Sequence, residues 1–363
     1  MALRSPIKTF CYFGLTPGLV MARDSVLLKG LENRGIKIIN CTDSSPRFWA
    51  KFVNLIRKHH QIKNSYDVML VGYLSNMLVP LARLISRHRV VYNALNSMYE
   101  GAVLDRRGHS IFSFRRYLIW FIDFMAFHLA HLVLVESEAQ SRFLQRHFWI
   151  SKRKLARLFT GADNTIFHPD HLVKKRNEFT AVFRGWFVPA TGVEYVLEAA
   201  RLLKDGPIKF LLIGRGPMLH AVEEKIEADR LTNVELITAF LSEEELRRQM
   251  LSCYISLGQF SDHPRLDRTI QNKTFETLAL GLPYITRDSV SNRELLTDNE
   301  DCLFVKAADA KDLAEKILNL KNSPDLRGRL AKNSLALYNQ QLTPQVIAAR
   351  FLQIITESQL PLR

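Results

Sequence analysis

Short apolar runs alternate with helix-patterned stretches along the chain, and the alternation starts over near the middle. In the first half, runs at 7–14, 36–40, 68–72, 89–93, 131–135 and 154–159 are separated by amphipathic stretches at 23–33, 48–58, 78–86, 117–131 and 138–148. The second half restarts with runs at 180–183, 210–213, 234–237, 255–258 and 284–286. Helical patterns at 192–204, 218–228, 243–251 and 273–280 lie between them, and three more, 310–320, 326–338 and 344–358, close the chain. Strand–helix–strand order makes successive strands parallel and places helices on the sheet faces, so two doubly wound α/β halves are expected. No repeat of solenoid period is present. At 363 residues the chain is long for one core and suits two domains. The polar stretch 174–177 reads as their linker, giving expected domains of 1–172 and 178–340, with 341–363 as a terminal helix.

The charge is uneven. Of the formal +14, residues 1–170 hold 24 Lys+Arg against 11 Asp+Glu, a net of +13. That half should approach something anionic: membrane lipid, a polyprenyl-phosphate-type carrier, an acidic glycan or nucleic acid. No known nucleic-acid-binding module accompanies the charge, so a nucleic-acid partner is not expected. The basic cluster Arg106, Arg107, Arg115 and Arg116, with Phe112, Phe114 and Trp120, either rests on a membrane surface or is a solvated loop with a helix packed behind it. The most membrane-like stretch, 117–135, carries Asp123, His128 and His131, each costly in a bilayer, and reads as a buried helix running into a strand. No secretory signal follows residues 1–6. Cys11, Cys41, Cys253 and Cys302 are far apart and form no C-x-x-C pair, which argues against a zinc site or disulfide scaffold and for a reducing compartment. The expected location is cytoplasmic, with peripheral contact at the inner face of a membrane.

Chemistry concentrates at 270–285. A polar loop, 262–272, leads into the 273–280 helix; Gly281 suits its C′ position and Pro283 bars continuation. Phe275, Leu278 and Ala279 share a buried face, while Lys273 and Glu276 sit on the first turn, where unpaired N–H groups and the positive dipole end favour anions. A carboxylate and an ammonium there can hold a ribose and a phosphate together; equally, they can form an ordinary surface salt bridge.

The segment Asn-Lys-Thr-Phe-Glu-Thr-Leu-Ala-Leu-Gly-Leu-Pro (272–283) resembles the sugar-nucleotide motif of the GT-B glycosyltransferases, in particular family four, glycosyl transferases group 1. Gly-Ala-Asp-x-x-x-Phe-x-Pro (161–169) is similar to that family's hinge-side signature, and Gly214-Arg215-Gly216-Pro217 to its element near the nucleobase. The resemblance implies two Rossmann-like domains facing across a cleft. The first would be the acceptor side, the second would bind the nucleotide sugar, and the last helix would return to the first domain. It implies a metal-independent, retaining hexosyl or related transfer from a nucleoside diphosphate sugar to a lipid-linked or cell-surface glycan, as in polysaccharide biosynthesis, with no cofactor. Glu276 would hold the ribose hydroxyls. Donor contacts would come from Arg184, Gly185, Gly214, Arg215, Gly216, Asn272 and Thr274, and the acceptor or diphosphate loop from Gly14, Asn93 and Glu100. Gly18 and Asp105 are further candidates on those loops.

The chain departs from the motif in two places. Where the family has Gly-Arg-x-x-x-x-Lys-Gly, the segment 185–192 has Trp186 and Thr191, so both charges are missing. Where the family has the first of two glutamates, this chain has Arg268. The expected compensation is relocated charge, with Lys273 and Arg268 or Arg184 on the phosphates. The competing readings are a GT-B partner subunit without catalysis and a GT-B sugar-nucleotide epimerase. Asp298-Asn299-Glu300-Asp301 reads as a solvated turn and no metal site is expected.

Overall fold

A computed structural model describes residues 7–15, 22–104 and 113–358. It separates into two compact units, Met1–Gly161 with Thr343–Arg363, and Ala162–Leu342.

The first unit runs β1 (Thr9–Gly14), α1 (Ala22–Glu32), β2 (Lys37–Thr42), α2 (Phe48–Ile62), β3 (Val68–Val71), α3 (Val79–Ile85), β4 (Arg89–Leu95), α4 (Phe114–Leu129), β5 (Leu132–Val135), α5 (Glu138–Phe148) and β6 (Leu155–Arg157). Its six strands are parallel in the order β2-β1-β3-β4-β5-β6. β3, β4 and β5 are buried along their whole length, as strands covered on both faces must be. One face packs Phe13, Met69, Val71 and Tyr92 against α2, α3, α4 and α5. The other packs Phe10, Tyr12 and Leu70 against α1 and the last helix of the described residues, α12 (Pro344–Glu357). α1 and α12 meet at Gly30, where a Cβ would lie 1.9 Å from the Pro344 carbonyl oxygen. Arg89 then ties down the end of α12 through the carbonyls of Ile355 and Ser358, each at 3.0 Å.

The second unit runs β7 (Phe179–Trp186), α6 (Val193–Leu202), β8 (Ile208–Arg215), α7 (Leu219–Ala228), β9 (Val234–Ile237), α8 (Glu243–Ser252), β10 (Ile255–Leu257), α9 (Asn272–Ala279), β11 (Tyr284–Arg287), β12 (Leu303–Val305), α10 (Ala310–Asn322) and α11 (Pro324–Gln341). Its six parallel strands lie in the order β12-β11-β10-β7-β8-β9. β12 is not among the sequence-expected strands: three residues behind an acidic turn are too short for a periodic signal, and pairing with β11 makes the strand. The polar segment 174–177 is bonded into this unit. The Lys175 ammonium donates to the carbonyls of Leu251 and Cys253, and Arg176 pairs with Glu235. α8 starts with a reciprocal Ser242–Glu245 capping box, and α9 ends before Gly281 at φ +62°, a conformation that favours glycine.

Candidate nucleotide-binding site in the second unit

In the second sheet the strand order reverses beside β7, with β8 on one side and β10 on the other. In open α/β sheets, ligands bind outside the carboxyl ends of the strands at such a reversal. β7 ends there in Arg184, Gly185 and Trp186, and α9, which joins β10 to β11, brings Lys273 and Glu276 to the same place.

α9 is held by its buried face. The Thr274 hydroxyl shares a 2.9 Å hydrogen bond with the Tyr284 hydroxyl, and Thr277 shares one of 2.9 Å with Ser256. Burial pushes the Tyr284 phenol up to about 12. Gln271 occupies the N-cap position and makes no side-chain capping bond. Asn272 is exposed on the first turn.

Lys273 is only 7% exposed. Its ammonium stands 4.4 Å from the centre of the Phe183 ring, and a Cβ built on Gly185 would come within 3.2 Å of it. Among the described residues Nζ has no hydrogen-bond partner. Burial, then the neighbouring Arg184 charge, holds its pKa well below the ordinary lysine value. Arg184 pairs through Nη2 with Glu276 Oε2. Burial lowers the Arg184 guanidinium to about 10, against an opposing effect of Tyr284. Two cations and one carboxylate thus share a largely dry corner, a net positive charge with one ammonium unsatisfied.

Glycines let the backbone close around this corner. Gly185 and Gly214 face each other across β7 and β8, and a Cβ on Gly214 would lie 2.0 Å from the Gly185 carbonyl oxygen. Gly216, at φ +152°, has room for no Cβ either, with the Phe187 oxygen at 2.6 Å. Arg215 is exposed at the end of β8, in register with Trp186. Neither substituted position of 185–192 supplies charge: Trp186 is exposed, and the buried Thr191 hydroxyl closes its own turn on the Val188 carbonyl at 2.7 Å.

The loop before α9 is organised by Arg287, a residue the motif reading passed over. Its guanidinium donates to the carbonyls of Ser261 at 3.0 Å and His263 at 3.1 Å, and pairs with Asp267 at 2.8 Å. A buried arginine closing a strand is the signal that was there to read. His263 caps the short turn Pro264–Asp267 through Nδ1, a structural use of the ring. Arg268 follows that turn, half-buried, and the partner of Glu276 is Arg184.

The first unit holds its own charged cluster. Arg23 donates to Asn93 Oδ1 at 2.7 Å, the Leu158 carbonyl at 3.1 Å and Thr160 Oγ1 at 3.2 Å, and lies 3.5 Å from Glu136. Asp24 accepts from Asn93 at 2.6 Å, the Tyr12 hydroxyl at 2.9 Å and the Tyr73 N–H at 2.8 Å. Glu136 accepts from the Thr160 N–H and hydroxyl, both at 2.8 Å. Burial holds Asp24 and Glu136 above the usual carboxylate range. Asn93 is therefore inside a network. Glu100 is also fully buried, accepting from Gln140 at 3.0 Å, and Gly14 is buried at the end of β1. Gly18, Asp105, Arg106, Arg107 and Phe112 lie outside the described residues.

Residues 178–323 match the family model described as glycosyl transferases group 1. A 2-deoxystreptamine N-acetyl-D-glucosaminyltransferase of Niallia circulans is 22% identical over 50% of this chain and 46% of its own length. An alpha-D-kanosaminyltransferase of Streptomyces kanamyceticus is 27% identical over 43% and 40%. The chain thus spans under half the length of the curated relatives it matches. Among solved structures, HepE of Anabaena in complex with UDP is 14% identical with a TM-score of 0.73, covering 96% of this chain and 100% of that one. Sucrose-phosphate synthase of Thermosynechococcus elongatus is 16% identical with a TM-score of 0.75, covering 96% and 98%. Two six-stranded parallel α/β units with these structural neighbours define the GT-B fold. Within that class, residues 178–323 are similar to glycosyl transferases group 1, and the curated relatives of partial coverage are glycosyltransferases.

Proposed function

We propose that the chain is a retaining glycosyltransferase. It would move a sugar, hexosyl or related, from a nucleoside diphosphate donor to a membrane-associated, lipid-linked or cell-surface glycan acceptor. The observation that carries the donor half is the buried, unpartnered Lys273 ammonium beside Arg184 and Gly185. An uncompensated buried cation is costly, and an anionic ligand offsets that cost. In this reading the diphosphate takes Lys273 and the N-terminus of α9, while Glu276 turns from Arg184 to the ribose hydroxyls and leaves Arg184 to the phosphates. The bond from the sugar carbon to the phosphate oxygen breaks, and one to an acceptor hydroxyl oxygen forms as that hydroxyl's proton passes to the departing diphosphate. The charge that collects on the leaving diphosphate meets cations already in place, which suits a metal-independent transfer. Arg215, Gly214, Gly216, Asn272 and Thr274 are proposed to surround the nucleotide. The acceptor half rests on the basic balance of residues 1–170.

The uncharged Trp186 and Thr191 favour a second reading, a GT-B subunit that assists an active partner without catalysis. Calorimetric titration with UDP, GDP, ADP and CMP separates the two. One diphosphate should bind to the wild type, and Glu276→Ala should weaken it at least about tenfold, the loss of one charge-assisted hydrogen bond. Silence with all four nucleotides would leave the partner-subunit reading in front.

A further inference from the structure

The helices on one face of the first sheet are dressed for an anionic surface. α2, α3, α4 and α5 share one core against that face, so their other sides turn outward. On α4 the outward residues are Phe114, Tyr117, Leu118 and Phe121, all exposed, at i, i+3, i+4 and i+7. Its opposite side, Ile119, Asp123, Ala126 and Phe127, is buried. α2 repeats the pattern with exposed Trp49, Val53 and Ile56. Isolated exposed apolar residues are ordinary, but aligned stripes on two helices of one layer are not.

Trp149 adds an independent mark. It follows α5, is 70% exposed and sits at φ +53°. That left-handed position normally goes to glycine or asparagine at a helix end. Here a bulky indole occupies it and stands edge-on to Trp120 of α4 at 5.7 Å. An open groove of about 360 Å³, lined by Tyr99, Arg116, Tyr117 and Trp120, lies beside it.

The charges of the layer have one sign. The carboxylates on these four helices are Asp123, which is buried and bonded to Asn76 and the Tyr99 N–H, and Glu138, which is half-buried. Exposed Arg57, Arg115, Arg146, Lys152 and Arg153 belong to the layer or follow it. Aromatic and aliphatic side chains among arginines and lysines are the composition of an interfacial surface. α4 has 16 residues, short of the roughly 20 that span a bilayer, and its inner side is committed to the core, so it can lie on a membrane but not cross it. No helix among the described residues is long and apolar enough to cross.

We infer that the outer face of α2 and α4, with Trp149, docks on an anionic lipid bilayer, the aromatic rings entering the headgroup region and the basic residues meeting lipid phosphates. The inference deepens the acceptor side of the proposed function. Its test needs no sugar nucleotide, so its failure leaves the donor reading standing, and failure of the donor reading leaves it intact.

The test is flotation of the full chain with vesicles of phosphatidylcholine alone or mixed with phosphatidylglycerol. Binding is expected to the mixed vesicles, to fall with added salt, and to blue-shift the tryptophan emission. Phe114→Ser with Phe121→Ser should weaken partition about tenfold or more, Arg115→Glu should weaken it severalfold, and Phe240→Ser, an exposed ring on the second unit, should change nothing. All four positions are exposed, so thermal midpoints should stay at the wild-type value and rule out misfolding as the cause. Equal partition of the double variant and the wild type, or no preference for phosphatidylglycerol, overturns the inference. So does a self-associated wild type that the α4 changes convert to monomer without altering vesicle binding, for the face would then belong to a second copy.

Discussion

The two units are built alike and use their buried charges in opposite ways. In the first, Arg23, Asp24, Asn93, Glu136 and Thr160 close on one another, and each carboxylate oxygen has at least one hydrogen-bond donor. In the second, Arg184 answers Glu276, and Lys273 Nζ, over the Phe183 ring, has no hydrogen-bond partner among the described residues. A network whose carboxylates are all bonded holds a fold in register; a deficit of one anion is a place for a ligand to arrive. On the proposed function, the contrast gives structure to the first cluster and binding to the second, and each reading can be broken separately.

The largest effect is expected in the first network, where every carboxylate oxygen is bonded and only Nη2 of the Arg23 guanidinium lacks a hydrogen-bond partner among the described residues. Arg23→Met leaves Asp24 and Glu136 buried without their cation, and removing one partner of a buried ion pair costs about 3–5 kcal/mol. Both carboxyls are already held above their usual range, so in the variant the cost grows with pH as they are forced to ionise. Three of the four tryptophans, Trp49, Trp120 and Trp149, lie in the first unit, so urea unfolding followed by fluorescence reports on it. A midpoint unchanged in Arg23→Met would mean that the network does not carry the stability assigned to it.

Much of this was legible in the sequence, for a physical reason. Parallel strands covered on both faces must be continuous apolar runs, so 68–72 and 210–213 announce themselves, and Gly281 with Pro283 ends α9 where the structure ends it. The position of Lys273 beside β7 was not legible in periodicity; the family resemblance alone set it with Arg268 or Arg184. That position follows from strand order, which sets residues 185 and 273 together although they are far apart in the chain. The same is true of Asn93, whose place at a strand end suggested a loop facing ligand, while Arg23 and Asp24 draw it into the interior. Periodicity reports which residues are buried and is silent on which buried polar groups meet.

A medium effect of opposite sign is expected at the incomplete cluster. Lys273→Met replaces a buried, unpartnered ammonium with an apolar chain of similar length. It should stabilise the second unit by about 1–3 kcal/mol while nucleoside diphosphate binding drops below detection. Differential scanning calorimetry and titration with UDP check the two halves of that statement. A variant that is both less stable and still binding would make Lys273 a structural residue like Arg23 and erase the contrast between the units.

The smallest effect is also the most specific. Burial and the Arg184 charge hold the Lys273 pKa well below its ordinary value, so in the free protein the amine loses its proton at a pH where a solvated lysine keeps it. A diphosphate placed beside Nζ favours the charged form and raises that pKa. Binding must then take up a proton in the window between the free and bound values, and affinity falls as pH rises through it, by at most about tenfold per unit for one proton. Above about pH 7.5 the phosphate itself, with a second pKa near 6, no longer titrates, so proton uptake there belongs to the protein. Calorimetry of UDP binding in buffers of different ionisation enthalpy measures that uptake directly. If it is zero across the alkaline range, the anion does not sit on Lys273, and the charge deficit of the second unit is met elsewhere.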